Sequence, residues 1–441
     1  MNKQLWIQRA LEKGIECFEI YQSVQKEKTL TWFNGQVDTF VTSNVLGTSV
    51  RGIYEGNMAN IALEDVKDDK MDEVLDGLIQ QAQTITTVEK DALRKPETVK
   101  PVENSQTWIQ PDLEMVKNLM KKLENDLMAY DTRIVQVASL GWQEEYSTRE
   151  ITNSYGIDLK DESTVQYLIA SVVAQENDVV KDDYKIEVIH DLKDFDEEAF
   201  VKKLCEDTLF KLHSTSLSSR TCPVIFEKEA MRSLFSAFSG YFNGELIFKG
   251  ISPIKDKLDQ KIFSEQITIV DDPRNTDCLT VLNFDDEGCP TRRKVLVDHG
   301  VFTSMLHDTR SAIRMNSTST GNGFKSGYAS SVSVTPFNCC ILPGEKSLEQ
   351  MCQDMKEGLV ITDLQGLHAG LDFVSGNFSL QCTGYWVKDG KKDHAVALIT
   401  VADNFLKLMN KVVSVGNDLD WKYYSIATPS IAFTDCAISG E

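Results

Sequence analysis

Six histidines and ten cysteines are the residues of this 441-residue chain most able to ligate a metal or act as nucleophiles. A zinc hydrolase needs three protein ligands, an open coordination position and a nearby carboxylate as base. The economical source is two histidines on one helical face. The histidines here are His190, His213, His299, His307, His368 and His394. The closest pair, His299 and His307, lies eight residues apart with a turn expected between them, and no HExxH pair exists. A metal site assembled from distant residues stays open, but each lone histidine reads first as a surface or hydrogen-bonded residue.

The cysteines form no CxxC pair, and Cys339 and Cys340 are adjacent, a poor geometry for a mutual disulfide. They read as reduced, mostly buried thiols, with core packing favoured over catalysis at Cys339-Cys340. A nucleophile elbow needs GxSxG between strand and helix, and Gly323-Phe324-Lys325-Ser326-Gly327 has the wrong spacing. The segment Ser317-Thr318-Ser319-Thr320-Gly321-Asn322-Gly323 has three readings. Its small residues and glycines suit close backbone approach to a phosphate, although the lysine of a P-loop is missing. It also suits backbone pairing with an extended peptide, in which case Ser319, Thr320, Gly321, Asn322 and Gly323 would bind substrate. The third reading is a flexible turn.

These residues must be positioned by an α+β chain. Apolar spacing predicts a helix from Leu5 to Gly14, strands at Phe18–Tyr21, Thr29–Phe33 and Thr48–Tyr54, and a helix from Asp69 to Gln83. Turns are expected at Asn34-Gly35, Gly47 and Glu55-Gly56-Asn57. A charged stretch with Pro96, Pro101 and Pro111 reads as an extended, solvated linker. The same order then recurs: a helix over Asp112–Tyr130, strands at Ile134–Leu140, Glu144–Thr152 and Val165–Ala174, and a helix over Glu197–Ser214. Beyond Pro223 come an apolar helix, Glu229–Phe242, and many short strands, including Ile267–Val270, Leu279–Phe284, Ser331–Thr335, Phe378–Trp386 and Val396–Val401. A last helix is predicted over Ala402–Lys411. The expected organisation is two α/antiparallel-β N-terminal layers (1–88 and 112–215, linker 89–111) and a large, mostly antiparallel C-terminal sheet domain with helices (216–441).

The net charge of −21 disfavours direct binding to nucleic acid, because duplex binding depends on neutralising phosphates. No signal-peptide core and no long apolar run is seen, so neither a membrane span nor export is expected, and a cytoplasmic location is.

Val295-Leu296-Val297-Asp298-His299-Gly300-Val301, followed by the Ser317–Gly323 segment, resembles the PmbA/TldD family. Members of this family are also called modulators of DNA gyrase and include metallopeptidases. Thr268-Ile269-Val270-Asp271-Asp272-Pro273, Asp286-Glu287-Gly288, Ile151-Thr152-Asn153-Ser154-Tyr155-Gly156, Phe33-Asn34-Gly35 and Pro429-Ser430 extend the likeness in order over nearly the whole chain. The resemblance implies two kinds of subunit. TldD-type chains carry HExxxH on a helix and a later cysteine, which bind a metal. PmbA (TldE)-type chains lack them and pair with the TldD type in a peptidase. Here the motif window falls on Phe235-Ser236-Ala237-Phe238-Ser239-Gly240, so Phe235 and Gly240 stand at the histidine positions and Ser236 at the glutamate. The late cysteine falls near Val415. The match is therefore to the PmbA/TldE type.

The resemblance implies a non-catalytic subunit of a cytoplasmic metallopeptidase that acts on unfolded peptides. It would have no cofactor and no catalytic or metal-binding residue of its own. Zinc is expected in an HExxxH-bearing partner, and a homodimer when that partner is missing. The alternative is a regulatory, gyrase-modulator type of binding protein without proteolysis. A third reading is a self-sufficient hydrolase with a cryptic site.

Overall fold

The computed structural model describes residues 1–441 except 65, 87–90 and 105, so the first two residues of the expected linker, and Ser105 within it, lie outside the described residues. The N-terminal half runs α1 (Lys3–Glu12), β1 (Cys17–Phe33), β2 (Gln36–Tyr54), β3 (Asn57–Glu64), α2 (Met71–Thr84), α3 (Leu113–Tyr130), β4 (Ile134–Asn153), β5 (Asp158–Glu176), β6 (Val179–Val188) and α4 (Glu197–Lys211). Its strands form one antiparallel sheet in the order β3-β2-β1-β4-β5-β6. Helix, three strands and helix thus occur twice, and the two units join edge to edge through β1 and β4, in register from Glu19–Asn153 to Thr31–Gly141.

Each unit buries its own helix pair. Trp6, Ile7, Val74, Leu75 and Leu78 cover Phe18, Ile20 and Val50 in the first. Met120, Leu123, Leu127, Phe200 and Leu204 cover Leu30, Trp142 and Leu168 in the second. The apolar spacing of α2 and α3 that signalled helices in the sequence is what fills these cores. Asp112 caps α3 by accepting from the Met115 N–H at 2.8 Å.

Two sequence expectations are corrected here. Phe18–Tyr21 and Thr29–Phe33 are the two ends of one 17-residue strand, and Ile134–Leu140 and Glu144–Thr152 belong to one 20-residue strand. The stretch Gln22–Lys28 is polar and lacks alternation, yet it pairs on both sides, with β2 and with β4. Backbone pairing does not require apolar side chains when neighbours flank both edges. Gly47 is not a turn but a mid-strand residue of β2. A Cβ there would lie 2.1 Å from the Tyr328 ring, so the glycine lets a C-terminal loop approach the sheet. The turns expected at Asn34-Gly35 and Glu55-Gly56 are present, with all four residues at positive φ.

The described residues of 91–111 form no helix or strand, and they are not free in solvent. Leu93 is buried against Cys17 and Ile53. The Val102 N–H donates to Asn283 Oδ1 at 2.7 Å, and Asn283 Nδ2 donates back to the Val102 carbonyl at 3.2 Å. Ile109 donates to the His190 carbonyl at 2.9 Å. The segment straps the N-terminal sheet to the C-terminal half.

That half runs β7 (Arg220–Phe226), α5 (Lys228–Phe238), α6 (Gly244–Phe248), β8 (Ile269–Asp271), β9 (Lys294–Asp298), β10 (Val301–Phe302), α7 (Thr309–Arg314), β11 (Gly323–Phe324), β12 (Ser333–Val334), β13 (Cys339–Ile341), α8 (Leu348–Met355), β14 (Gly358–Gln365), β15 (Asn377–Lys388), β16 (Lys391–Asn404), α9 (Phe405–Leu408), β17 (Val412–Val415), β18 (Ile426–Ala427) and β19 (Ile431–Ser439). Its main sheet has the order β16-β15-β14-β7-β19-β17, antiparallel except for β14–β7. A smaller sheet, β10-β9-β8-β13-β18, packs nearby in the same apolar core. The expected strand Leu279–Phe284 is irregular instead, and most of the expected helix Ala402–Lys411 is strand and turn, with helix only at Phe405–Leu408. Val401 and Ala402 pair with Ile438 and Ala437 of β19, and that pairing overrides the local helical pattern. Among the described residues, no helix is long and apolar enough to cross a membrane.

The strap predicts a local phenotype. Asn283→Ala removes both bonds to Val102 and should weaken docking of the segment by about 1–2 kcal/mol. Limited proteolysis should then cut near residues 95–106 faster than in the unaltered chain, while the global unfolding transition changes little. Unchanged cutting rates would show that the strap is held elsewhere.

Candidate functional site

The helix expected over Glu229–Phe242 is present as α5, Lys228–Phe238, followed by a 3-10 turn at Ser239–Phe242. Ala230, Met231, Leu234, Phe235 and Phe238 face the core. Phe235 and Phe238 are both fully buried. Phe238 stacks on Phe405 with ring centroids 4.5 Å apart, and Tyr241 meets Phe373 edge-on at 4.9 Å. Ser236 is half-buried, and its carbonyl accepts from Ser239 Oγ at 2.8 Å. A Cβ on Gly240 would sit 3.2 Å from the Phe373 ring. The window is therefore an aromatic packing surface. Phenyl rings offer no lone pair to a metal, and a serine hydroxyl is far too weak a base to activate water at neutral pH. Val415, where the late cysteine would fall, ends β17 and is buried.

The ten cysteines are all buried and unpaired. Burial holds their thiols in the neutral form, pushing Cys340 up to about 12 and Cys339 well above the usual thiol value. They lack the thiolate character of a nucleophile. Among the described residues, no three His, Cys, Asp or Glu side chains cluster so as to hold a metal ion.

The segment Ser319–Gly323 is buried, which corrects the flexible-turn reading. Ser319 and Thr320 donate through their hydroxyls to the His307 carbonyl, at 3.2 and 3.1 Å. Asn322 Oδ1 accepts from Lys294 Nζ and from Thr320 Oγ1, both at 2.8 Å, and Nδ2 donates to Asp271 Oδ2 at 3.0 Å. Lys294 also pairs with Asp271 at 2.7 Å, both side chains being almost wholly buried. These side chains are satisfied by the protein itself. The glycines are needed for space: a Cβ on Gly321 would lie 2.6 Å from the Pro290 carbonyl, and one on Gly323 would lie 2.8 Å from Glu287 Oε2. The lysine whose absence argued against a phosphate cradle has a counterpart in Lys294, but it neutralises Asp271 rather than facing a ligand.

Sequence reasoning missed a charged junction beside this segment. The turn Asp285-Asp286-Glu287 meets two arginines of the N-terminal sheet. Arg149 pairs with Asp286 at 2.8 Å, and its Nη2 donates to the Phe284 carbonyl at 2.5 Å. Arg51 pairs with Glu19 at 2.6 Å and Glu287 at 3.3 Å. Asp285 accepts backbone N–H bonds from Glu287, Cys289 and Gly323. Burial, with Glu287 close by, raises Asp285 above the usual carboxylate range, and burial likewise raises Glu287 against the pull of Arg51. One signal in the sequence did mark this site: Arg51 lies inside the apolar strand Val50-Arg51-Gly52-Ile53, where an arginine needs a partner.

Family models match most of the chain. The PmbA/TldA metallopeptidase domain 1 covers residues 18–82, the central domain 107–212 and the C-terminal domain 219–440. The metalloprotease PmbA of Escherichia coli O157:H7 is 28% identical over 324 residues, spanning 73% of this chain and 69% of the relative. A Thermotoga maritima crystal structure, described as a candidate modulator of a DNA gyrase, superposes with a TM-score of 0.87 at 26% identity over 99% of both chains. The TldE structure of Thermococcus kodakarensis shares the fold, with a TM-score of 0.88 at 23% identity over 99% of this chain and 100% of that one.

Two measurements follow from the site. Phe235→His places a polar ring in a fully buried aromatic cluster and should cost about 2–4 kcal/mol, read as a lowered denaturant midpoint. The second concerns His307, which burial holds below its ordinary 6.5 despite Asp308 beside it. A base with a depressed folded value stabilises the fold fully above its unfolded value. That contribution is lost as the pH falls through the folded value. The thermal midpoint should therefore drop on acidification below about 6.5, and the drop should shrink in His307→Gln. An equal drop in that variant would assign the effect to other groups, such as the half-buried His190, which burial also lowers.

Proposed function

This chain belongs to the PmbA/TldA metallopeptidase family, and from that premise we propose that it is the non-catalytic, PmbA/TldE-type subunit of a two-chain metallopeptidase. The observation that carries this reading is α5 and the 3-10 turn after it, where Phe235, Ser236 and Gly240 stand at the positions the family's metal motif would occupy and the helix packs into an aromatic core. Peptide hydrolysis needs an activated water and a stabilised oxyanion. At the motif positions, Phe235, Ser236 and Gly240 supply neither a metal ligand nor a base. An HExxxH-bearing, TldD-type subunit supplies the zinc and the glutamate. This chain completes the enclosure around an unfolded peptide, and holding a substrate in line is itself a large part of catalysis. Folded proteins are excluded because their backbone is already paired.

The test expresses the chain alone and with an HExxxH relative from the same genome, then follows cleavage of an unfolded polypeptide with and without chelator. Cleavage that needs both chains and stops with chelator is the expected result. Robust cleavage by this chain alone, after removal of trace contaminants, would overturn the proposal. So would a relative that is fully active without it. Stable capture of gyrase subunits, with no metal-bearing chain recovered, would favour the regulatory reading.

A further inference from the structure

A cavity of about 220 Å³ lies where β2 and β3 of the N-terminal sheet face the C-terminal half. Its charged lining is Arg51, Arg310 and Lys325 against Asp91, Glu287 and Asp308, three of each sign. Several of these groups are not satisfied by the protein. Arg51 is nine-tenths buried, with Nε on Glu19 and Nη1 on Glu287, yet its buried Nη2 has no acceptor. A buried guanidinium nitrogen without a partner is costly and marks a missing acceptor. Arg310 is half-buried and pairs with no carboxylate among the described residues. Among the described residues the Lys325 ammonium donates only to neutral oxygens, Ser49 Oγ at 2.7 Å and the Tyr328 carbonyl at 3.3 Å. Burial, with Arg51 near, pushes Lys325 down to about 8, as expected of a cation short of a counter-charge. In the same lining the half-buried Asp91 accepts only from the adjacent Ala92 N–H, at 2.8 Å, among the described residues; burial raises its carboxyl, and nearby Arg51 and Arg310 pull it back.

The lining therefore offers unfilled donors and an under-used carboxylate within one small space. A dianionic phosphate suits the donors but meets three carboxylates. An apolar ligand would leave six charges without water. A metal ion would meet two guanidinium groups and an ammonium. The volume falls below the roughly 300–1,000 Å³ of pockets that hold drug-sized ligands. We propose that this cavity binds a small zwitterion, a free α-amino acid or a dipeptide, with its carboxylate toward Arg51, Arg310 and Lys325 and its ammonium toward Asp91. The site is distinct from α5, meets the Ser319–Gly323 segment through Glu287, against which Gly323 packs, and does not depend on the chain having a catalytic partner.

The test uses the full chain, titrated calorimetrically and by thermal shift with alanine, Ala-Ala, N-acetylalanine, alaninamide, acetate and inorganic phosphate. Saturable one-to-one binding of alanine or of Ala-Ala, with a raised unfolding temperature, is expected. Whichever binds more tightly identifies the source. Blocking either end should weaken binding about tenfold or more, because each removes a charge-assisted contact. Arg51→Lys should weaken it too, but Arg51 also ties two carboxylates together, so that variant risks the fold. Arg310→Gln and Asp91→Asn avoid this risk. Each should weaken binding about tenfold, while the unliganded unfolding temperature stays close to that of the unaltered chain. No saturable binding of either zwitterion overturns the proposal. So does binding that both variants leave intact, or phosphate and acetate binding as tightly as the zwitterions.

Discussion

The arrangement of this chain depends on one buried electrostatic junction. Arg51 and Arg149 leave the N-terminal sheet and enter the turn Asp285-Asp286-Glu287 of the C-terminal half. Ion pairs taken out of water gain little net stability over a well-packed apolar contact, because desolvation offsets their attraction. Their directional demand is what matters. Each arginine must meet its carboxylate in one geometry, so the sheet can dock in one orientation. Removing one partner would strand a buried charge and cost several kcal/mol, on the order of 3–5. The strap through Val102 and Asn283, the cation–ring contact of Arg149 over Phe284 at 4.7 Å, and the Lys325–Ser49 bond all converge on the same junction.

That constraint also explains the Ser319–Gly323 segment. The Gly323 N–H is held by Asp285 and the Lys325 N–H by Asp286 at 2.8 Å, so the turn that receives the arginines also fixes this loop. Behind it, Asp271 and Lys294 form a second buried pair, whose remaining hydrogen-bonding capacity Asn322 and the Phe337 N–H take up. Small polar side chains and glycines here serve close packing of backbone around buried charge.

Helix α5 gives the opposite case. Its buried face is wholly apolar. Phe235 and Phe238 join Tyr241, Phe263 and Phe405 in one core. Their burial stabilises the C-terminal half by roughly 1.5–3 kcal/mol per large side chain.

The sequence by itself determined the elements with a regular apolar period, α1 to α5, the positive-φ hairpin turns, and the burial of Phe235 and Phe238. Those depend on neighbours three or four residues away, or on the chemistry of single side chains, and both are local. The ordered short motifs also identified the family. Only the tertiary structure decided the rest. The polar middle of β1 became strand because β2 and β4 flank it, and Ala402 became strand because β19 pairs with it. Residues 91–111 became a docked strap because Asn283 and His190 receive their backbone. The Arg51–Glu287 contact joins residues 236 apart. No local pattern can encode that separation, because a charge's burial and its partner are set only once two distant surfaces have closed over it.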